Sequence, residues 1–113
     1  MPVELDVSIG RLDSTIEAAV YFVCSEALAN AVKHARPNRI LLRLDQRDGQ
    51  VALTVEDDGS GFDPAEAAAH RHGLGLGLMR ERVAELGGTF QVESTPGQGT
   101  SVRVLLPGPR PGG

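Results

Sequence analysis

The spacing of apolar residues in this chain switches from every second position to a helical repeat and back, twice, and that order of periods leaves few folds open. Val3, Leu5, Val7 and Ile9 alternate with Glu4, Asp6 and Ser8, which predicts a half-buried opening strand. Ser14, with Glu17 three residues on, has the form of a capping box, and Ile16, Ala19, Val20, Val23, Ala27 and Ala31 then recur at helical spacing. One helix is expected from about Thr15 to Ala35, stopped by Pro37. Ile40, Leu42 and Leu44 restore the alternation, Asp48-Gly49 supplies a turn, and Val51, Leu53 and Val55 form the return strand. From Gly59 to Gly75 periodicity fails, which predicts a mobile connection, a lid. Leu76, Met79, Val83 and Leu86 share a helical face that Gly87-Gly88 terminates. Phe90 and Val92 then pair, across the turn Pro96-Gly97-Gln98-Gly99, with Val102, Val104 and Leu106. The sum is an α/β fold, a two-layer sandwich of a mixed sheet with helices on one face. Residues 1–106 are expected to form one domain and 107–113 a flexible Pro/Gly tail.

Composition narrows the function. A net charge of -4 without a dense Lys/Arg cluster argues against a nucleic-acid surface, which needs a basic stripe. No apolar run approaches the length that spans a bilayer, so direct membrane contact is not expected. Cys24 is the only cysteine, which rules out an internal disulfide and the paired spacings of a zinc site, and its apolar helical setting reads as packing. His70 and His72, with no cysteine or acidic cluster nearby, receive no metal or catalytic role.

The polar residues fall into four short segments. Glu26, Asn30 and Lys33 lie at i, i+4 and i+7 of the first helix and project from one stripe. The Asn30 amide oxygen suits magnesium, Glu26 can accept a proton, and Lys33 can offset phosphate charge. The same three residues also describe a solvated helix face held by local pairs worth about 0.2–0.5 kcal/mol each. An Asn inside a helix is intrinsically unfavourable, however, and asks for a reason. Asp57 ends a strand before Asp58-Gly59-Ser60-Gly61. Its carboxylate can accept from the exocyclic amine of adenine and would reject guanine, whose carbonyl oxygen would oppose it as a second acceptor. A plain Asp-Gly turn is the competing explanation. Gly73, Gly75 and Gly77, interleaved with Leu74 and Leu76, precede the second helix, where free amides can receive polyphosphate or where the chain simply hinges. No Gly-Lys-Ser/Thr follows, so this is not a P-loop. Gly97-Gln98-Gly99-Thr100 is a good hairpin turn before it is anything else.

In this order the segments resemble the boxes of the ATP-binding catalytic domain of bacterial sensor histidine kinases, within the gyrase, Hsp90, histidine kinase and MutL (GHKL, or Bergerat) ATPase superfamily. Glu26 to His34 is similar to the N box, Asp57 to Gly61 and Gly73 to Leu78 to the two glycine boxes, and Gly97 to Thr100 to the last box. Met79-Arg80-Glu81-Arg82-Val83 with Leu86-Gly87-Gly88 resembles the subfamily paired with helix-turn-helix response regulators. The resemblance implies ATP and Mg2+ as cofactors, Asn30 as the magnesium ligand, and Glu26 as general base or orienter of the phosphoryl acceptor. It implies Asp57 as the adenine acceptor, with Gly59 and Gly61 shaping its pocket and Thr100 supporting that end. Gly73, Leu74, Gly75, Leu76 and Gly77 would border the phosphates, with Lys33 and His34 near them. The position after Asp57 is often Asn in the family and is Asp58 here; the phenylalanine-rich box of many relatives is not recognisable.

By the same resemblance the partners are a dimerisation and phosphoacceptor domain, which residues 1 to 13 are too few to form, and a response regulator. The expectation is thus a monomeric catalytic module cut from a larger cytoplasmic or membrane-anchored kinase, supplying the ATP γ-phosphate to a histidine on that separate domain. The alternatives are an anti-sigma factor serine kinase and a nonenzymatic ATP-regulated interaction module.

Overall fold

The computed structural model describes residues 3–35, 37–61 and 75–107. It contains strand β1 (Val3–Ser8), helix α1 (Ser14–Asn30) running into a π-helical turn (Ala31–Ala35), strands β2 (Ile40–Arg47) and β3 (Gln50–Asp57), helix α2 (Leu76–Glu85), and strands β4 (Thr89–Ser94) and β5 (Thr100–Pro107). The five strands form one sheet in the order β1-β2-β3-β5-β4. β1 runs parallel to β2 and the remaining pairs are antiparallel, so the sheet is mixed as expected. Pro107, placed in the expected tail, is still in β5, opposite Gln50, and residues 108–113 lie outside the described residues.

The alternating residues of the three central strands meet the helices in one core. Ile40, Leu42, Leu44, Val51, Leu53, Val55, Val102, Val104 and Leu106 are buried with Ile16, Ala19, Val20, Val23, Ala27 and Ala31 of the first helix and its π turn and with Met79 and Val83 of α2. Each of these larger side chains contributes roughly 1.5–3 kcal/mol when taken fully from water, which outweighs the modest helix propensity of the β-branched residues in α1. Ser14–Lys33 is 20 residues long with a mean hydropathy of 1.2, enough to cross a bilayer by length and composition alone, contrary to the reading that no such run exists. Burial of Ile16, Ala19, Val20, Val23 and Ala27 against the sheet accounts for part of that apolarity, while Tyr21 and Val32 of the same stretch are exposed.

Local chemistry sets the joints. Asp48 (φ 50°) and Gly49 (φ 76°) both take positive φ between the paired Arg47 and Gln50, the two-residue hairpin geometry that matches strand twist. After α2, Gly87 N–H donates to Ala84 O (2.9 Å) and Gly88 N–H to Val83 O (3.0 Å), a Schellman ending. Two expectations fail. Ser14 is already helical and Asp13 takes the N-cap position without a side-chain cap, so the Ser14/Glu17 box does not form. Val3, Leu5 and Val7 are not half-buried but 45%, 68% and 56% exposed. They stand in register with Ile40, Leu42 and Leu44, but β1 is the sheet edge, and the helices pack over β3, β5 and β4. The parallel ladder to β2 holds β1, and two exposed ion pairs, Glu4 with Arg39 and Asp6 with Arg43, add to it.

Candidate nucleotide-binding site

The described site residues gather at two places. At the first, α1 places half-buried Glu26 and Asn30 one turn apart. Gly75 (φ 72°) is the N-cap of α2 and lies against Glu26: a Cβ added there would stand 3.0 Å from Glu26 Oε2. Among the described residues no side chain caps α2, which leaves its first amides suited to an anion, and the helix dipole favours negative charge at that end. Leu76 packs against the core and Gly77 faces solvent. The straight stripe from Glu26 through Asn30 to Lys33 is broken, because Lys33 falls on the π turn, where the wider winding shifts it off the α-helical stripe, and it is exposed. His34 shares this turn; its side chain, like Gly73, Leu74, His70 and His72, lies outside the described residues.

The second place is built by strand pairing. Asp57 ends β3 directly opposite Thr100, which starts β5. Gly59 N–H donates to Asp57 Oδ1 at 2.8 Å. Burial, the largest influence, holds the Asp57 carboxyl above the usual aspartate value; the Gly59 amide opposes this, the neighbouring Asp58 charge adds to it, and the Thr100 amide opposes it again. Ser94 Oγ contacts Thr100 Oγ1 at 2.8 Å and donates to Gly99 O at 3.1 Å. A cavity of about 280 Å³ opens here, lined by Asp57 and Thr100 together with Glu56, Glu93, Ser94 and Ser101 among others.

The two glycine turns at this end are packed backbone to backbone. Gly97 N–H donates to Ser60 O. A Cβ on Gly61 (φ 66°) would overlap Thr95 O, and one on Gly99 (φ 84°) would overlap Asp57 O. Sequence reasoning took Gly99 as a hairpin residue; its further duty is to let β5 approach the Asp57 carbonyl. The signal was the Gly-x-Gly spacing itself, since one glycine would have sufficed for the turn. Cys24 is half-buried and burial pushes its thiol up to about 11, so it is protonated at neutral pH, as its packing role requires.

Residues 15–110 match the family described as Histidine kinase-, DNA gyrase B-, and HSP90-like ATPase. The chain belongs to that ATPase family. Among its relatives is the signal transduction histidine-protein kinase/phosphatase UhpB of Salmonella typhimurium, 43% identical over 102 residues, which cover 86% of this chain and 19% of UhpB. The fold matches the Erythrobacter litoralis EL346 blue-light activated histidine kinase with a TM-score of 0.79 at 28% identity, covering 94% of this chain and 35% of that one. It matches the ATP binding domain of PrrB from Mycobacterium tuberculosis with a TM-score of 0.62 at 28% identity, covering 93% of this chain and 81% of that one. The chain is thus an ATP-binding catalytic domain of the histidine kinase type, a two-layer GHKL sandwich, and its relatives favour that reading over a serine kinase or an interaction module. It spans 18% to 29% of the length of the curated relatives it matches.

Proposed function

We propose that this GHKL domain binds Mg-ATP between the Asp57 turn and the Glu26/Gly75 contact and supplies the γ-phosphate to a histidine on a dimerisation and phosphoacceptor domain, for relay to a response regulator on the cytoplasmic side. The observation that carries it is the close approach of Glu26 to Gly75, which brings an acid suited to act on an incoming acceptor to the N-terminus of the glycine-loop helix. The donor sets fit the ligands: an ionisable acceptor at the adenine end, free amides at the phosphate end, and an amide oxygen, from Asn30, of the hard type that magnesium prefers.

Each residue then has a task. Asp57 accepts the adenine amine and, being ionised, excludes guanine, while Thr100 and Gly59 hold its carboxylate in place. The amides at the start of α2, freed by Gly75 and Gly77, bind phosphate oxygens. Asn30 would hold the magnesium ion, which when bound would neutralise phosphate charge. Glu26 orients the attacking imidazole or takes its proton, and Lys33 and His34 lie near the phosphates, where Lys33 offsets negative charge. Because phosphoryl transfer is mostly positioning and charge stabilisation, these residues act only on a docked acceptor.

Calorimetric titration with ATP and GTP, with and without magnesium, tests the reading. ATP is expected to bind in preference to GTP, and Asn30→Ala to remove the magnesium dependence. Asp57→Asn is expected to weaken ATP by tenfold or more and narrow the ATP/GTP gap, consistent with about 1.5–3 kcal/mol for a hydrogen bond to a charged group. Unchanged binding in both variants would sink the site. ATP affinity is also expected to fall on acidification from a higher pH than an ordinary aspartate would give, since the Asp57 carboxyl is held up by burial and must be ionised to accept. Glu56 and Glu93 line the same cavity and Asp58 adjoins it, so no cation offsets that charge among the cavity-lining residues described. The sign for stability is the reverse. A raised carboxyl pKa stabilises the fold below the unfolded value and loses that contribution as pH rises through the folded value, so Asp57→Asn is expected to raise the thermal midpoint at neutral pH while lowering affinity.

A further inference from the structure

Asp58 follows the proposed adenine acceptor, is exposed, and has a side chain that reaches the chain segment leaving the π turn. Its Oδ1 accepts two consecutive backbone amides, Asn38 N–H at 2.8 Å and Arg39 N–H at 2.9 Å, while its own N–H donates to Arg39 O at 3.4 Å. The β2–β3 ladder ends at the pair Ile40 and Asp57, so the Asp58 carboxylate continues the connection one step beyond the last strand pair. Segment 37–39 is the direct continuation of the helix and π turn that carry Glu26, Asn30 and Lys33, and its Pro37 is buried. The guanidinium of Arg39 is engaged elsewhere, with Glu4 on β1.

We propose that Asp58 is a positioning residue that fixes the distance between the two ends of the nucleotide site, by clamping the Asp57 turn onto the Asn38 and Arg39 amides at the exit of the Asn30 helix. The inference rests on the ATP reading above. Charged acceptors make the stronger hydrogen bonds, and two amides on one oxygen orient the segment as well as hold it. A neutral Asn at 58 presents the same carbonyl oxygen at the same reach; an Ala presents nothing.

The experiment pairs ATP titration with amide hydrogen exchange on the whole chain and on Asp57→Asn, Asp58→Ala and Asp58→Asn. Asp58→Ala is expected to lose exchange protection at Asn38 and Arg39 and to bind ATP about tenfold more weakly; Asp58→Asn is expected to keep both properties, with affinity within about twofold. If Asp58→Ala frees the two amides but binds ATP as tightly as the parent, or if Asn rescues nothing, the positioning role is overturned. Should Asp58→Ala fail to fold, the parent protein decides: saturating ATP slows exchange at Asn38 and Arg39 if the clamp couples the two ends, and leaves them unchanged if it does not. An unaffected Asp57→Asn would instead bring down the ATP reading; a weakened Asp57→Asn beside a normal Asp58→Ala brings down only the clamp.

Discussion

Glu26→Gln is expected to leave ATP binding intact and to lower phosphoryl transfer on the order of 10²–10⁴-fold once the domain is joined to a phosphoacceptor hairpin, the range usual for a lost acid–base group. The geometry makes the split specific. Glu26 abuts Gly75 at the open N-terminus of α2, where the polyphosphate would also bind, so its carboxylate stands close to like charge in the nucleotide complex. Removing that charge therefore holds ATP affinity or tightens it slightly, while the acceptor histidine loses its orienting partner. Single-turnover transfer measured beside equilibrium binding separates the two effects. Equal losses in both would make Glu26 a binding residue, and unimpaired transfer would remove it from the chemistry altogether.

Gly99→Ala is expected to be strongly destabilising for the addition of a single methyl. The added Cβ overlaps Asp57 O, crowds the Asp58 Cα, and is imposed on a backbone at φ 84°. Strain at positive φ costs about 1–3 kcal/mol and overpacking a further 1–3 kcal/mol, together a large share of a stability that is about 5–15 kcal/mol in domains of this kind. Gly97→Ala is the control. Gly97 has nearly the same φ, 83°, but nothing lies within 4 Å of its Cβ position, so it carries the strain without the overlap. In urea denaturation Gly99→Ala should lose clearly more than Gly97→Ala, and the surviving folded fraction should bind ATP poorly because Asp57 and Thr100 have been pushed apart. Equal losses in the two variants would mean that the close approach of β5 to Asp57 has no energetic weight.

The sheet was legible because its residues obey one rule at a time. Val51, Leu53 and Val55, like Val102, Val104 and Leu106, alternate and are buried in alternation, and Asp48-Gly49 has the two positive φ values its sequence asks for. β1 misled because alternation reports only that one face is apolar, not that anything covers it; coverage depends on where the helices cross the sheet. Ser14 misled because the helix starts one residue earlier, with Asp13 at the N-cap position and no side-chain cap, and the Ser-x-x-Glu spacing alone does not fix that start. In the site, Glu26 and Asn30 could be read from helical spacing, and Asp57 and Thr100 from their boxes, but the π turn that displaces Lys33 has no signature in side-chain period. The roles of Asp58 and Gly99 are made by backbone groups far along the chain, Asn38, Arg39 and the Asp57 carbonyl, and pattern reading sees no backbone contacts.

The register that sets Asp57 against Thr100 also decides when the site comes into being. β2 and β3 can close through a two-residue turn almost as soon as they exist, whereas β3 finds β5 only after α2 and β4 have been made, and closing longer loops costs more entropy and time. A chain still emerging from the ribosome can thus hold a finished Asp57 hairpin with no Thr100 beside it and no Gly99 turn stacked on it. On the proposed reading, such a chain has no adenine pocket to offer. Nucleotide then meets a domain whose last strand is already home, and each ATP bound reports a fold completed through to its final pairing.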